Sequence, residues 1–183
     1  MREAIFMSGR GGQGVLLAGQ LIAQAAMEAG LNTSWYPVYD PEVRGGRTTC
    51  VVVVADGPVG SPVAGKYSLA VLMDDFAVEH QLQEVTKDGI AIINTSLATI
   101  PADTTVKCVG LPATKMAEEI MDERATNMVL LGALAAAKPL LTVEQMAGAL
   151  KQFLPERRHD LIPQNVKAME AGFAEAKGKL NGG

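Results

Sequence analysis

The 183-residue chain has only two cysteines, Cys50 and Cys108, 58 positions apart, with no Cys-x-x-Cys pattern and no histidine nearby. An iron–sulfur cluster or structural zinc needs three or four ligands in close array, so neither is expected on this chain alone. Both cysteines lie in apolar, β-like stretches and read as buried free thiols. Aromatic residues make up 4% of the sequence, which removes the stacking platforms of single-strand nucleic-acid or carbohydrate sites and leaves an aliphatic core. A formal charge of −4, from 16 basic and 20 acidic residues, excludes the basic face of a general nucleic-acid binder. The longest apolar runs, Cys50 to Ala55 and Met128 to Ala137, fall short of the roughly 18 residues a membrane span needs, so no membrane partner is expected. The start, Met1-Arg2-Glu3-Ala4-Ile5-Phe6-Met7-Ser8-Gly9, lacks the pattern of a secretory leader, and a cytoplasmic location is expected.

What is abundant is apolar. Hydrophobic residues reach 48% and charged residues 20%, below the roughly 25% usual in soluble domains, with a mean hydropathy of +0.16. That surplus predicts apolar surface covered by other chains. The length is about one and a quarter times a usual domain, so one domain over 1–180 is expected, with 181–183 as a disordered tail.

Periodicity orders the elements. Ala4 to Ser8 reads as a buried strand; from Gly14 apolar residues recur at helical spacing until Gly30, and Thr33 to Tyr39 reads as a second strand, parallel to the first and beside it. Arg47 to Ala55 is the strongest strand signal. Too few residues precede it for a crossover, so it returns antiparallel. Leu69 to Met73, Ile90 to Ile93 and Thr105 to Val109 read as further strands, and Asp74-Asp75 as the cap of a helix to about Val85. Four helices follow: Ala113 to Asp122, Thr126 to Lys138, one capped by Thr142 to about Phe153, and Pro163 to about Lys179. The expected fold is α/β: a single three-layer domain with a mixed, largely parallel sheet and a helical C-terminal third.

Gly9-Arg10-Gly11-Gly12-Gln13-Gly14 satisfies G-x-G-x-x-G between a strand and a helix, the context in which such a loop approaches a phosphate and the helix N-terminus offers free N–H groups. A tight turn with no ligand is the alternative. A Walker A loop is excluded, because Val15 and Leu16 stand where Lys and Ser or Thr are required. The second loop, Tyr39-Asp40-Pro41-Glu42-Val43-Arg44-Gly45-Gly46-Arg47, leaves the same carboxyl edge of the sheet and brings Arg44 and Arg47 toward Arg10. Three guanidinium groups there suit a phosphorylated ligand or an acidic partner loop. Asp40 stands 26 residues beyond Gly14, where a nicotinamide site would have its ribose-binding acid at about 20.

Other residues read as structural. His80 and His159 have no recognisable partner, Asp74-Asp75 is N-cap chemistry, Ser61 lacks a nucleophile elbow, and Asn127 reads as a helix cap.

With both loops in view, the chain resembles the gamma subunit of 2-oxoacid:ferredoxin oxidoreductases, which act on 2-oxoglutarate, pyruvate or ketoisovalerate, and the gamma-type domain of single-chain pyruvate:ferredoxin oxidoreductase. The matching stretches are Gly9 to Val15, Pro41-Glu42-Val43-Arg44-Gly45-Gly46, Cys50-Val51-Val52, Gly60-Ser61-Pro62 and Asn127 to Ala133, with Asn165, Ala168 and Gly172 in the last helix. The family's second loop usually reads Tyr-Gly-Pro-Glu; here it is Tyr39-Asp40-Pro41-Glu42.

The resemblance implies oxidative decarboxylation of a 2-oxoacid, 2-oxoglutarate in the first instance, with transfer of the acyl group to coenzyme A and of electrons to ferredoxin. It implies thiamine diphosphate, magnesium and iron–sulfur clusters on alpha, beta and ferredoxin-like partner subunits. This chain then holds no catalytic or metal-ligating residue; isolated, it is expected to be inactive and can form a homodimer. Gly9, Arg10, Gly11, Gly12, Gln13, Gly14, Glu42, Arg44, Gly45 and Gly46 are the candidate binding residues, with coenzyme A as shared ligand. The apolar surplus is then expected at the glycine-rich edge and on the helix after Asn127, beneath partner subunits. The competing readings are a nicotinamide-dependent dehydrogenase and a stand-alone nucleotide-binding module.

Overall fold

The structure is a computed structural model that describes residues 1–39, 46–61 and 65–182. Its elements in chain order are β1 (Arg2–Arg10), α1 (Val15–Glu28), β2 (Asn32–Tyr39), β3 (Arg47–Ala55), β4 (Tyr67–Leu72), α2 (Asp75–Gln81), β5 (Val85–Asn94), β6 (Lys107–Leu111), α3 (Ala113–Ile120), α4 (Thr126–Ala137), α5 (Val143–Phe153) and α6 (Ile162–Asn181). No helix among the described residues is long and apolar enough to cross a membrane.

The six strands form one mixed sheet in the order β2-β3-β1-β4-β5-β6. Alternation along each strand supplies its two faces. Ile5, Met7, Cys50, Val52, Leu69, Val71 and Ile92 point into a large core under α1 and α3 to α6, while Ala4, Phe6, Val51, Val53, Ala70, Leu72 and Ile93 point into a smaller one under α2. The layers are therefore unequal: among the described residues one α-helix lies on one face and five on the other.

Strand β3 returns antiparallel, as its short connection requires. β2 and β1 do run in the same direction, but they are not neighbours: β3 lies between them and pairs with both, from Arg2↔Ala55 to Arg10↔Arg47 on one side and from Asn32↔Ala55 to Tyr39↔Thr48 on the other. The physical reason lies in the side chains. Val51 to Val54 are buried on both faces, which demands a central position, whereas β2 carries Asn32, Ser34 and Pro37 and suits the sheet edge.

Helix α4 is also not left for a partner. Thr126 to Ala135 are all buried within this chain, and α6 is its main cover. Two glycines permit the contact: a Cβ on Gly132 would run into the backbone of Met169, and one on Gly172 into the backbone of Val129.

Candidate functional site

The carboxyl edge of the sheet gathers the ends of β1, β4, β5 and β6 and the start of β3. In the glycine loop, Gly12 and Gly14 take positive φ angles of 100° and 74°, conformations that disfavour a side chain. Gln13 folds back so that its Oε1 accepts the Arg10 N–H at 2.6 Å, and a Cβ on Gly9 would stand 2.5 Å from that oxygen. Beside Gly12 the space is open among the described residues, with no atom beyond its chain neighbours within 4 Å of where a Cβ would sit. Gly14 occupies the N-cap of α1, and among the described residues no side chain caps it and the first turn holds no acid, so no described side chain takes up the N–H groups at its positive end. The Gly11 N–H donates to the Gly46 carbonyl at 2.8 Å, which ties the first loop to the end of the second. Glu42, Arg44 and Gly45, like Asp40 and the rest of the second loop through residue 45, lie outside the described residues.

The buried carboxylate of Asp74 organises the next stretch of the edge. It accepts the Ala77 N–H at 2.9 Å as the N-cap of α2, and it takes Arg47 as a fork, with Nη1 at 2.9 and 3.1 Å and Nη2 at 3.2 Å. Arg47 Nη2 also donates to Ser8 Oγ at 3.2 Å, and its guanidinium lies 4.3 Å from the centre of the Phe76 ring. Arg10 reaches the same carboxylate with Nε at 3.5 Å, yet its side chain is 67% exposed. The arginines predicted to gather here thus divide their work: Arg47 is committed to the fold, and Arg10 faces outward.

Two asparagines complete the frame. Asn94, fully buried at the end of β5, donates to the Met73 carbonyl at 3.2 Å and to Thr114 Oγ1 at 3.0 Å, while its Oδ1 accepts the N–H groups of Ser96 and Thr114. It locks β4, β5 and the start of α3 into one unit. Asn127 does not cap its helix, since the N-cap position of α4 is Ala125. Its Nδ2 instead donates to the Gly14 carbonyl at 3.2 Å, across 113 residues of sequence.

Sequence reasoning missed Ser8, Asn94 and the linking role of Asp74. A polar residue closing an apolar strand was the available signal for Ser8 and Asn94; nothing local foretold that Asp74 meets two arginines. His80 stacks on Phe76, the ring that Arg47 also packs against, with its Nδ1 3.0 Å from the Phe76 carbonyl, and His159 Nε2 lies 2.9 Å from the Leu154 carbonyl.

The cysteines point to opposite faces of the sheet, Cys50 toward α1 and half-buried Cys108 toward the α2 side. Burial pushes the Cys50 thiol up to about 12, with the Trp35 indole pulling weakly the other way. Among the described residues no three metal-ligating side chains come together, so the residues present do not fit a metal ion or an iron–sulfur cluster.

A family model described as pyruvate ferredoxin/flavodoxin oxidoreductase matches residues 4–175. The chain belongs to this family. It is 34% identical over 176 residues to the ketoisovalerate oxidoreductase subunit VorA of Methanothermobacter marburgensis, a match that takes 96% of this chain and 37% of the other. It thus spans little more than a third of that relative's length. The 2-oxoglutarate synthase subunit KorC of Methanocaldococcus jannaschii matches over most of both chains, at 30% identity over 185 residues, 97% of this chain and 95% of that one.

Among solved structures, the gamma subunit of a keto/oxoacid ferredoxin oxidoreductase from Geobacter sulfurreducens superposes with a TM-score of 0.83 at 26% identity, over 96% of this chain and 97% of that one. A 2-oxoglutarate:ferredoxin oxidoreductase from Magnetococcus marinus, solved with 2-oxoglutarate, coenzyme A and succinyl-CoA, shares the fold: TM-score 0.87 at 21% identity, over 97% of this chain and 31% of that one. The chain has the gamma-subunit fold. The parallel β1–β2 pair on which a dinucleotide fold sets its ribose-binding acid is replaced by the intervening β3.

Proposed function

We propose that this chain is the gamma subunit of a cytoplasmic 2-oxoacid:ferredoxin oxidoreductase, which decarboxylates a 2-oxoacid, forms the acyl-CoA and passes electrons to ferredoxin. The observation that carries the reading is the family match over 4–175, which takes in a glycine loop that enters α1 without a capping side chain at the carboxyl edge. Thiamine diphosphate, magnesium and iron–sulfur clusters belong in this reading to alpha, beta and ferredoxin-like subunits. Coenzyme A supplies the thiol that accepts the acyl group. Toward its phosphates this chain offers the exposed Arg10, the open flank of Gly12 and the first turn of α1; Glu42, Arg44, Gly45 and Gly46 of the second loop would complete the approach. Packing of this edge against the catalytic subunits shields the reacting centre from water.

Co-production with the partner subunits tests this. The assembled enzyme should reduce a viologen dye in the presence of coenzyme A and a 2-oxoacid, and neither this chain alone nor the assembly lacking it should do so. 2-Oxoglutarate is the first substrate to try, because a relative matched over nearly its whole length, at 30% identity, is a 2-oxoglutarate synthase subunit. Full activity without this chain, or micromolar binding of NAD by the chain alone, would overturn the reading.

A further inference from the structure

Apart from Thr126 and Asn127, every residue of α4 is apolar or glycine, and the helix is buried from Thr126 to Ala135. Asn127 is only 1% exposed, and its Oδ1 has no hydrogen-bond partner. A buried, unpaired carbonyl oxygen lowers stability, and an apolar side chain of similar size would serve the core better. Half of the amide thus works against the fold, and the reason for it lies in the other half. What the amide does is grip the glycine loop. Gly14 O accepts Asn127 Nδ2 at 3.2 Å and also the Ala18 N–H at 3.0 Å, so the bond that starts α1 is pinned from outside the helix. The fit is mutual, because a Cβ on Gly14 would collide with the Asn127 amide.

We propose that Asn127 is a positioning residue of the coenzyme A approach: it fixes where α1 begins, and so where the N–H groups of its first turn point, at a cost to the stability of α4. This rests on the reading that the glycine loop faces coenzyme A. Asn127 touches no ligand itself; it acts through Gly14.

The test uses the assembled oxidoreductase with Asn127→Leu, Asn127→Ala and, as a probe of the reading itself, Arg10→Ala. For Asn127→Leu the melting temperature of the assembly should hold or rise, while KM for coenzyme A rises about ten-fold and kcat and KM for the 2-oxoacid stay as they were. Asn127→Ala should raise KM for coenzyme A likewise, and it decides the matter if the leucine variant does not assemble. If Arg10→Ala raises that KM and neither Asn127 variant does, the positioning role is overturned and the coenzyme A reading stands. If none of the three moves it, the reading fails and the inference with it. A fall in melting temperature and kcat together, with KM for coenzyme A unchanged, would make Asn127 a structural residue and overturn the proposal.

Discussion

Arg47 and Asp74, 27 residues apart, meet as a fork on a carboxylate at the point where β3 begins and α2 is capped. One side chain thus does two jobs, and the second depends on the first: Asp74 can sit 5% exposed at the helix start because Arg47 neutralises it there. Arg47→Ala should cost about 2–3 kcal/mol in urea unfolding, less than for a wholly buried pair because Arg47 keeps some contact with water. Asp74→Ala should cost more, since it also removes a cap worth about 1 kcal/mol. The double variant should fall well short of the sum, the signature of one coupled unit.

The crossing of α4 and α6 depends on two hydrogen atoms in place of methyl groups. Gly132→Ala would drive a Cβ into the Met169 backbone and Gly172→Ala into that of Val129, and backbone cannot yield as a flexible side chain does. Each should destabilise by about 3 kcal/mol or more by chemical denaturation, unlike the gain expected of alanine in an unconstrained helix.

Thiol labelling should separate the cysteines. The Cys50 thiol, fully buried and pushed up to about 12, stays protonated at neutral pH. Cys108 is half-buried and raised only by burial. A chromogenic disulfide at pH 8 should therefore label Cys108 first in the folded protein, and Cys50 only after urea is added.

Glu144 lies in the first turn of α5, where its own backbone N–H and the Thr142 hydroxyl hold its carboxyl below the usual range. The folded pKa is the lower one, so the unfolded chain takes up the proton first as pH falls. The contribution is complete above the ordinary glutamate value of about 4.3 and is lost as pH drops through the folded value. Glu144→Gln should be less stable than the parent at pH 7, and the two should converge in acid when melting temperatures are followed against pH.

Strand and helix positions were largely legible because burial imposes its period on local sequence. Arg47–Ala55 was read to its ends, and Thr142 was read as the cap it is, in a capping box that Gln145 closes. β5 runs longer than its apolar heart, from Val85 to Asn94: Val85 pairs with Tyr67 of β4, and the ladder shifts register before Leu69 meets Ile90. The glycine loop was legible because conformational freedom can be read from residue type alone.

The rest of the site was not, since it consists of meetings. That Asn127 would hold Gly14 from 113 residues away, or that Arg10 and Arg47 would share Asp74, follows from how the sheet is ordered and where α4 crosses it. The amino-acid sequence by itself determined the elements, the direction of β3, the scarcity of cysteine and the glycine loop, all local consequences of side-chain type and spacing. The tertiary structure alone decided that β3 separates β2 from β1, that α6 rather than another chain covers α4, and which polar groups pair at the carboxyl edge. Those outcomes depend on competition for the central strand position and for close backbone contact, and such competition is settled only when all the elements pack at once.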